Sequence, residues 1–171
     1  MRKEKTIHAL LVCSFTFYAV FVTWNILFKY VLPTELFSGE RYFARSLNLI
    51  PFHDLMEGNY NRLDIWGNIL LFFPLGIYLK IWRRKKWYFL LLPALAASVA
   101  FETLQYVFAI GASDITDVIY NTFGCFIGIG SYSLLKCMMK KEERIRLFIA
   151  ILSCLAMIFV FGIVILLSWY N

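Results

Sequence analysis

Glu102 and Gln105 stand three residues apart in an otherwise apolar run. On a helix they share a face, and Tyr106, four residues after Glu102, can join them. Asp114, Asp117, Asn121, Gly124 and Gly128 follow in steps of three and four, which places them on one helical stripe, acidic at one end and small further along. Asp64 and Asn68 repeat the four-residue step in a third segment. Hard divalent cations are held by carboxylates and waters, so Glu102, Asp114 and Asp117 are the candidate metal ligands. The same groups have the chemistry of a general acid and base. Against catalysis, the cluster holds no histidine, no cationic clamp for a phosphate and no nucleophile motif. Plainer roles compete. Asp64 and Asp114 suit helix N-caps, Asn68, Gln105 and Asn121 suit hydrogen bonds between helices, and the two glycines suit close helix packing. His53 and Arg62 are read as solvated or interfacial, with His53 as an alternative ligand or base.

The chain that must position these groups has 171 residues, 61% of them apolar and only 16% charged. Globular domains in water are about 45–50% apolar and about 25% charged, so part of the solvent is lipid. A spanning helix needs roughly 20 mostly apolar residues. Five segments meet or approach that length, at about Ile7–Tyr30, Ile65–Trp82, Trp87–Ile110, Val118–Met139 and Leu147–Tyr170. In hydrocarbon every backbone N–H and C=O must be paired internally, which makes each of them a helix. The expected fold is an all-α polytopic bundle forming one integral membrane domain over residues 1–171, with Pro74 and Gly76 bending or tilting the second span. The run from Ile7 to Leu32 exceeds a signal-peptide core and lacks a small-x-small cleavage site, so it is read as a retained span. Cys13, Cys125, Cys137 and Cys154 show neither metal nor disulfide spacing and are read as small apolar fillers.

The net charge of +6 is not a nucleic-acid signature, because the basic residues sit in short runs between the spans. Thirteen of the seventeen basic residues precede the first span or follow the second and fourth. Lys29, Arg41, Arg45 and Arg62 fall on the other side, with eight of the eleven acids. The positive-inside rule then predicts a cytoplasmic N-terminus and an external C-terminus. Glu102 falls roughly 22 Å along its span from Trp87, in the outer third of the membrane, where a carboxylate needs a partner or a wet cavity. The one long loop, Pro33 to Asp64, faces outward. It is partly apolar (Leu36, Phe37, Tyr42, Phe43, Leu47, Leu49, Ile50 and Phe52), as a segment lying on or dipping into the membrane would be.

Four motifs occur in order: Asn48-Leu-Ile-Pro-Phe52, Gly67-Asn-Ile-Leu-Leu-Phe-Phe-Pro-Leu-Gly76, Glu102-Thr-Leu-Gln105, and Asp114-Ile-Thr-Asp-Val-Ile-Tyr-Asn-Thr-Phe-Gly124. Together they resemble the VanZ-like family of bacterial membrane proteins over about Asn48 to Gly128. Gly111-Ala112-Ser113 stands where that family's pattern leads to a positive residue just before Asp114. The resemblance adds Asn48 to the polar cluster. It implies a role in resistance to glycopeptide antibiotics, teicoplanin more than vancomycin, without implying a reaction. Three readings stay open. The chain binds or excludes a lipidated glycopeptide, or alters a lipid-linked cell-wall precursor. Alternatively it is a membrane-embedded enzyme, metal-dependent if the carboxylates converge, acting on a lipid-linked or surface substrate. Or its polar stripe is a helix interface in an envelope assembly. Beyond membrane lipids, its expected partners are therefore amphiphiles.

Overall fold

The computed structural model of the chain describes residues 2–29, 46–83 and 85–170. Among them are six helices and one pair of short strands: α1 (Arg2–Leu27), β1 (Ser46–Asn48), α2 (His53–Glu57), α3 (Arg62–Trp82), α4 (Trp87–Phe108), β2 (Ala112–Asp114), α5 (Ile115–Met139) and α6 (Glu142–Tyr170). All but α2 are long and apolar enough to cross a membrane, as the apolar runs require. Their ends differ from the apolar lengths by a few residues. α1 starts at Arg2, α3 at Arg62 and α6 at Glu142 because helices continue past the hydrocarbon into polar surroundings. Leu36, Phe37, Tyr42 and Phe43 lie outside the described residues. Leu47, Leu49 and Ile50 are exposed.

Backbone packing divides the chain into two compact units, Met1–Phe21 with Leu134–Asn171, and Val22–Ser133. In the first, Lys3 pairs with Glu143 at 3.1 Å and Lys136 with Glu142 at 2.8 Å. Leu11, Ile145, Ile149 and Ala150 are buried, while Leu155, Phe159 and Leu166 are exposed. In water an exposed row of that kind would be costly, but in a bilayer it meets acyl chains.

The second unit contains every candidate residue named above. Three glycines set its central packing. A Cβ on Gly124 would overlap the carbonyl oxygen of Ile69, and one on Gly128 that of Phe73. From the opposite helix, a Cβ on Gly76 would overlap the carbonyl of Cys125 and crowd the amide of Ile129. α3 and α5 therefore touch backbone to backbone, the approach that small residues permit where no hydrophobic effect drives helices together. Gly76 thus serves this contact. α3 remains helical through Pro74, as α4 does through Pro93. Phe72, Leu90, Ala94 and Cys125 are buried, with the Phe72 and Phe101 rings edge to face at 6.4 Å.

The strands were not expected. β1 pairs in parallel with β2, Asn48 opposite Asp114, after a crossover through α2, α3 and α4. Three residues are too few to show the alternation by which a strand is read. The ladder nevertheless ties the segment before α2 to the turn between α4 and α5. That turn begins at Ala109, a left-handed residue, with the Ile110 N–H donating to the Gln105 carbonyl at 3.0 Å.

Candidate functional site

The end of α1, the start of α3, the end of α4 and the start of α5 meet around one cavity of about 180 Å³. Its polar lining includes Lys29, Asn68, Glu102, Gln105, Asp117 and Asn121, with Asp64 at its edge paired to Lys29. Gly67 also lines it, and a Cβ there would meet nothing within 4 Å.

Each side chain is held from a defined direction. The Glu102 carboxylate accepts the backbone N–H of Asp114 at 2.8 Å, fixing β2 to α4. Gln105 donates through Nε2 to the Ile26 carbonyl at 3.0 Å. Ile26 lies among the last residues of α1, whose carbonyls have no partner within the helix. Asn121 donates through Nδ2 to the Ser98 hydroxyl at 2.8 Å, joining α5 to α4. These bonds use one end of each amide. The other ends, Gln105 Oε1 and Asn121 Oδ1, are buried and have no hydrogen-bond partner among the described residues, and the same holds for Asn68 Nδ2. Asn68, Gln105 and Asn121 are each at least nine-tenths buried. Buried polar atoms are almost always paired with protein or water, and each exception needs a cause. All three atoms belong to residues that line the same cavity.

Asp114 has a different part. Its Oδ1 accepts the Thr116 N–H at 2.7 Å, capping α5, and its Oδ2 accepts from Asn48 Nδ2 at 3.2 Å across the β-ladder. Both oxygens already accept hydrogen bonds, and neither Asn48 nor Asp114 lines the 180 Å³ hollow, while Asp114 borders the two cavities beside it. Thr116 in turn accepts the N–H of Phe52, a non-glycine residue at φ 61°, at 3.0 Å, and the Phe52 ring packs on Tyr120. Asp64 is not the cap of α3: Asn61 is, accepting the Leu63 N–H at 3.0 Å. His53 meets Asp54 and Glu57 at 3.5 and 3.4 Å and lines none of these cavities. Among the described residues, no three histidine, cysteine or acidic side chains gather as a metal site requires, so Glu102, Asp114 and Asp117 do not form the set that their types suggested.

Beyond Glu102 lies a second, mostly apolar cavity of about 250 Å³, lined by Leu47, Leu49, Val99, Tyr106 and Val118 among others. Tyr106 belongs to this groove and not to the polar hollow. Glu102 is common to both. A third, polar recess of about 120 Å³ adjoins on the other side and shares Lys29, Asp64 and Asp117.

The residues missed from sequence are Lys29 and Asn25, which line the hollow from the first span, and Ser98, which anchors Asn121. The site therefore does contain a cation. Asn25 and Lys29 are one helical turn apart at the end of an apolar run, the same four-residue signal that marked Asp64 and Asn68.

Helices long and apolar enough to span a membrane, closed around a polar hollow at one end with an apolar groove beside it, define a polytopic membrane protein. The sequence model of the VanZ/LLP1 family matches residues 15–136, and the chain belongs to that family. It is 39% identical over 141 residues to Protein VanZ of Enterococcus faecium, covering 79% of this chain and 82% of that protein. No solved structure matches it.

Proposed function

We propose that the chain contributes to resistance to teicoplanin-type glycopeptides by holding an amphiphilic, lipid-bearing molecule at the outer leaflet of the plasma membrane. The polar head sits in the hollow of Asn68, Glu102, Gln105, Asp117 and Asn121, and the tail in the groove of Leu47, Val99, Tyr106 and Val118. The supporting observation is that a polar hollow and an apolar groove meet at one side chain, Glu102. The basic residues Lys80, Arg83, Lys85 and Lys86 surround the turn between α3 and α4, at the helix ends opposite the hollow. With that turn cytoplasmic by the positive-inside rule, the hollow faces outward, the N-terminus is inside and the C-terminus outside.

The test is binding of purified protein in lipid nanodiscs to an acyl-bearing glycopeptide and to its acyl-free analogue. A chain whose tail leaves water for an apolar groove gains about 0.8 kcal/mol per buried CH₂. For three methylenes that pass from water into the groove, this favours the acylated form by roughly 50-fold. Equal binding of the two forms overturns the reading.

A further inference from the structure

The proposed function leaves the head group unnamed, and the hydrogen-bonding state of the hollow bears on it. Lys29 is paired to Asp64. Glu102 and Asp117 make no ion pair among the described residues, although both line the hollow. Beside them, the buried atoms still lacking a partner are two acceptors, Gln105 Oε1 and Asn121 Oδ1, and one donor, Asn68 Nδ2. The donor lies on the same lining as the Asp117 carboxyl group. What remains is a surplus of acceptors beside two carboxyl groups.

From this set of groups we infer that the hollow takes a protonated amine: the head of the amphiphile is an ammonium group that donates to Gln105 Oε1 and Asn121 Oδ1 and pairs with the carboxyl groups of Glu102 and Asp117. An ammonium carries up to three N–H donors and no acceptor, the complement of this lining. A sugar hydroxyl brings an acceptor with every donor, and a phosphate or pyrophosphate brings acceptors and negative charge only. Placed here, a phosphate would face two carboxylates with a single lysine already engaged by Asp64. In a medium of low effective dielectric that repulsion is large. The inference rests on the amphiphile reading and narrows it, disfavouring a lipid-linked precursor whose head is a phosphate.

The test uses simple amphiphiles of one tail length on full-length protein in nanodiscs of a zwitterionic lipid, with empty nanodiscs subtracted for partitioning. The probes are dodecylamine, dodecanol, dodecyltrimethylammonium, dodecyl phosphate and, as the short-tail control, butylamine. Charge-assisted hydrogen bonds favour dodecylamine over dodecanol by about tenfold or more. Dodecyltrimethylammonium, charged but without N–H donors, falls between them. Dodecyl phosphate is the weakest of the twelve-carbon set. Asp117→Asn and Glu102→Gln each reduce the preference for the amine. Gly67→Leu removes no polar group but fills the open space beside Gly67, and it abolishes amine binding. If dodecylamine and dodecanol bind equally, or dodecyl phosphate binds best, the amine assignment is wrong, and dodecylamine binding more tightly than butylamine then leaves the amphiphile reading standing. If no twelve-carbon probe binds above empty nanodiscs, both fail.

Discussion

Gly128→Ala is expected to destabilise the protein, while Gly130→Ala, two residues along the same helix, is expected to leave it unchanged or stabilise it slightly. A methyl group at Gly128 would overlap the Phe73 carbonyl oxygen and lie against the Cα of Gly76. Those are backbone atoms of α3 and cannot rotate aside, so the helices must separate. Overpacking of this kind typically costs about 1–3 kcal/mol. It outweighs the gain of at most about 1 kcal/mol that alanine brings over glycine inside a helix. At Gly130 nothing lies within 4 Å of the added carbon, so only the gain remains. Gly128→Leu is expected to prevent accumulation of folded protein. The measurement is thermal unfolding in mild detergent, with membrane abundance as the second readout. Equal unfolding temperatures for Gly128→Ala and Gly130→Ala would refute the backbone contact between α3 and α5. The effect bears on function because that contact sets the spacing of Asn68 on α3 from Asp117 and Asn121 on α5.

The second large effect is at Glu102, where two substitutions separate position from charge. Glu102→Gln retains an oxygen that accepts the Asp114 N–H, so β2 stays fixed to α4. It removes the acidic group shared by the hollow and the groove. The expected result is normal abundance with most of the protection against an acyl-bearing glycopeptide lost. Glu102→Ala also leaves the Asp114 N–H without its charged acceptor, a loss of about 1.5–3 kcal/mol. It is therefore expected to lower thermal stability as well as protection. Susceptibility testing alongside thermal unfolding distinguishes the two. Full protection by Glu102→Gln would mean that the charge plays no part, which would also end any catalytic or metal-binding role for this carboxylate.

The spans and the polar cluster differ in how they were written in the sequence. Long apolar runs admit only helices in lipid, so the five spans are legible from composition and length. The α3–α5 contact was half legible. Gly124 and Gly128 form a visible helical pair, but its partner, Gly76, resembled a helix bend beside Pro74 until the backbone of α5 was seen against it. Glu102, Gln105, Asp117 and Asn121 are conspicuous because polar groups within apolar helices need partners. Which of the acids face the hollow was not legible. Asp114 and Asp117 share a stripe, yet the N-cap geometry and the Asn48 amide commit Asp114 to the wall. That assignment depends on a three-residue parallel ladder closed over sixty-six positions of chain, and no local pattern encodes such a pairing. Lys29 was overlooked for a related reason: a lysine at the end of a span reads as an interfacial anchor until Asp64 is brought to it from another helix.

The most direct test of the hollow as the binding site is alanine substitution at Asn68, Gln105, Asp117 and Asn121, with membrane abundance matched and susceptibility to teicoplanin and vancomycin measured. Leu155→Ala and Phe159→Ala, on the exposed face of α6, serve as controls. The expected result is that each hollow variant loses protection against teicoplanin more than against vancomycin, while the two controls protect as the parent does. Hollow variants that reach parental abundance and still protect fully against teicoplanin would contradict it.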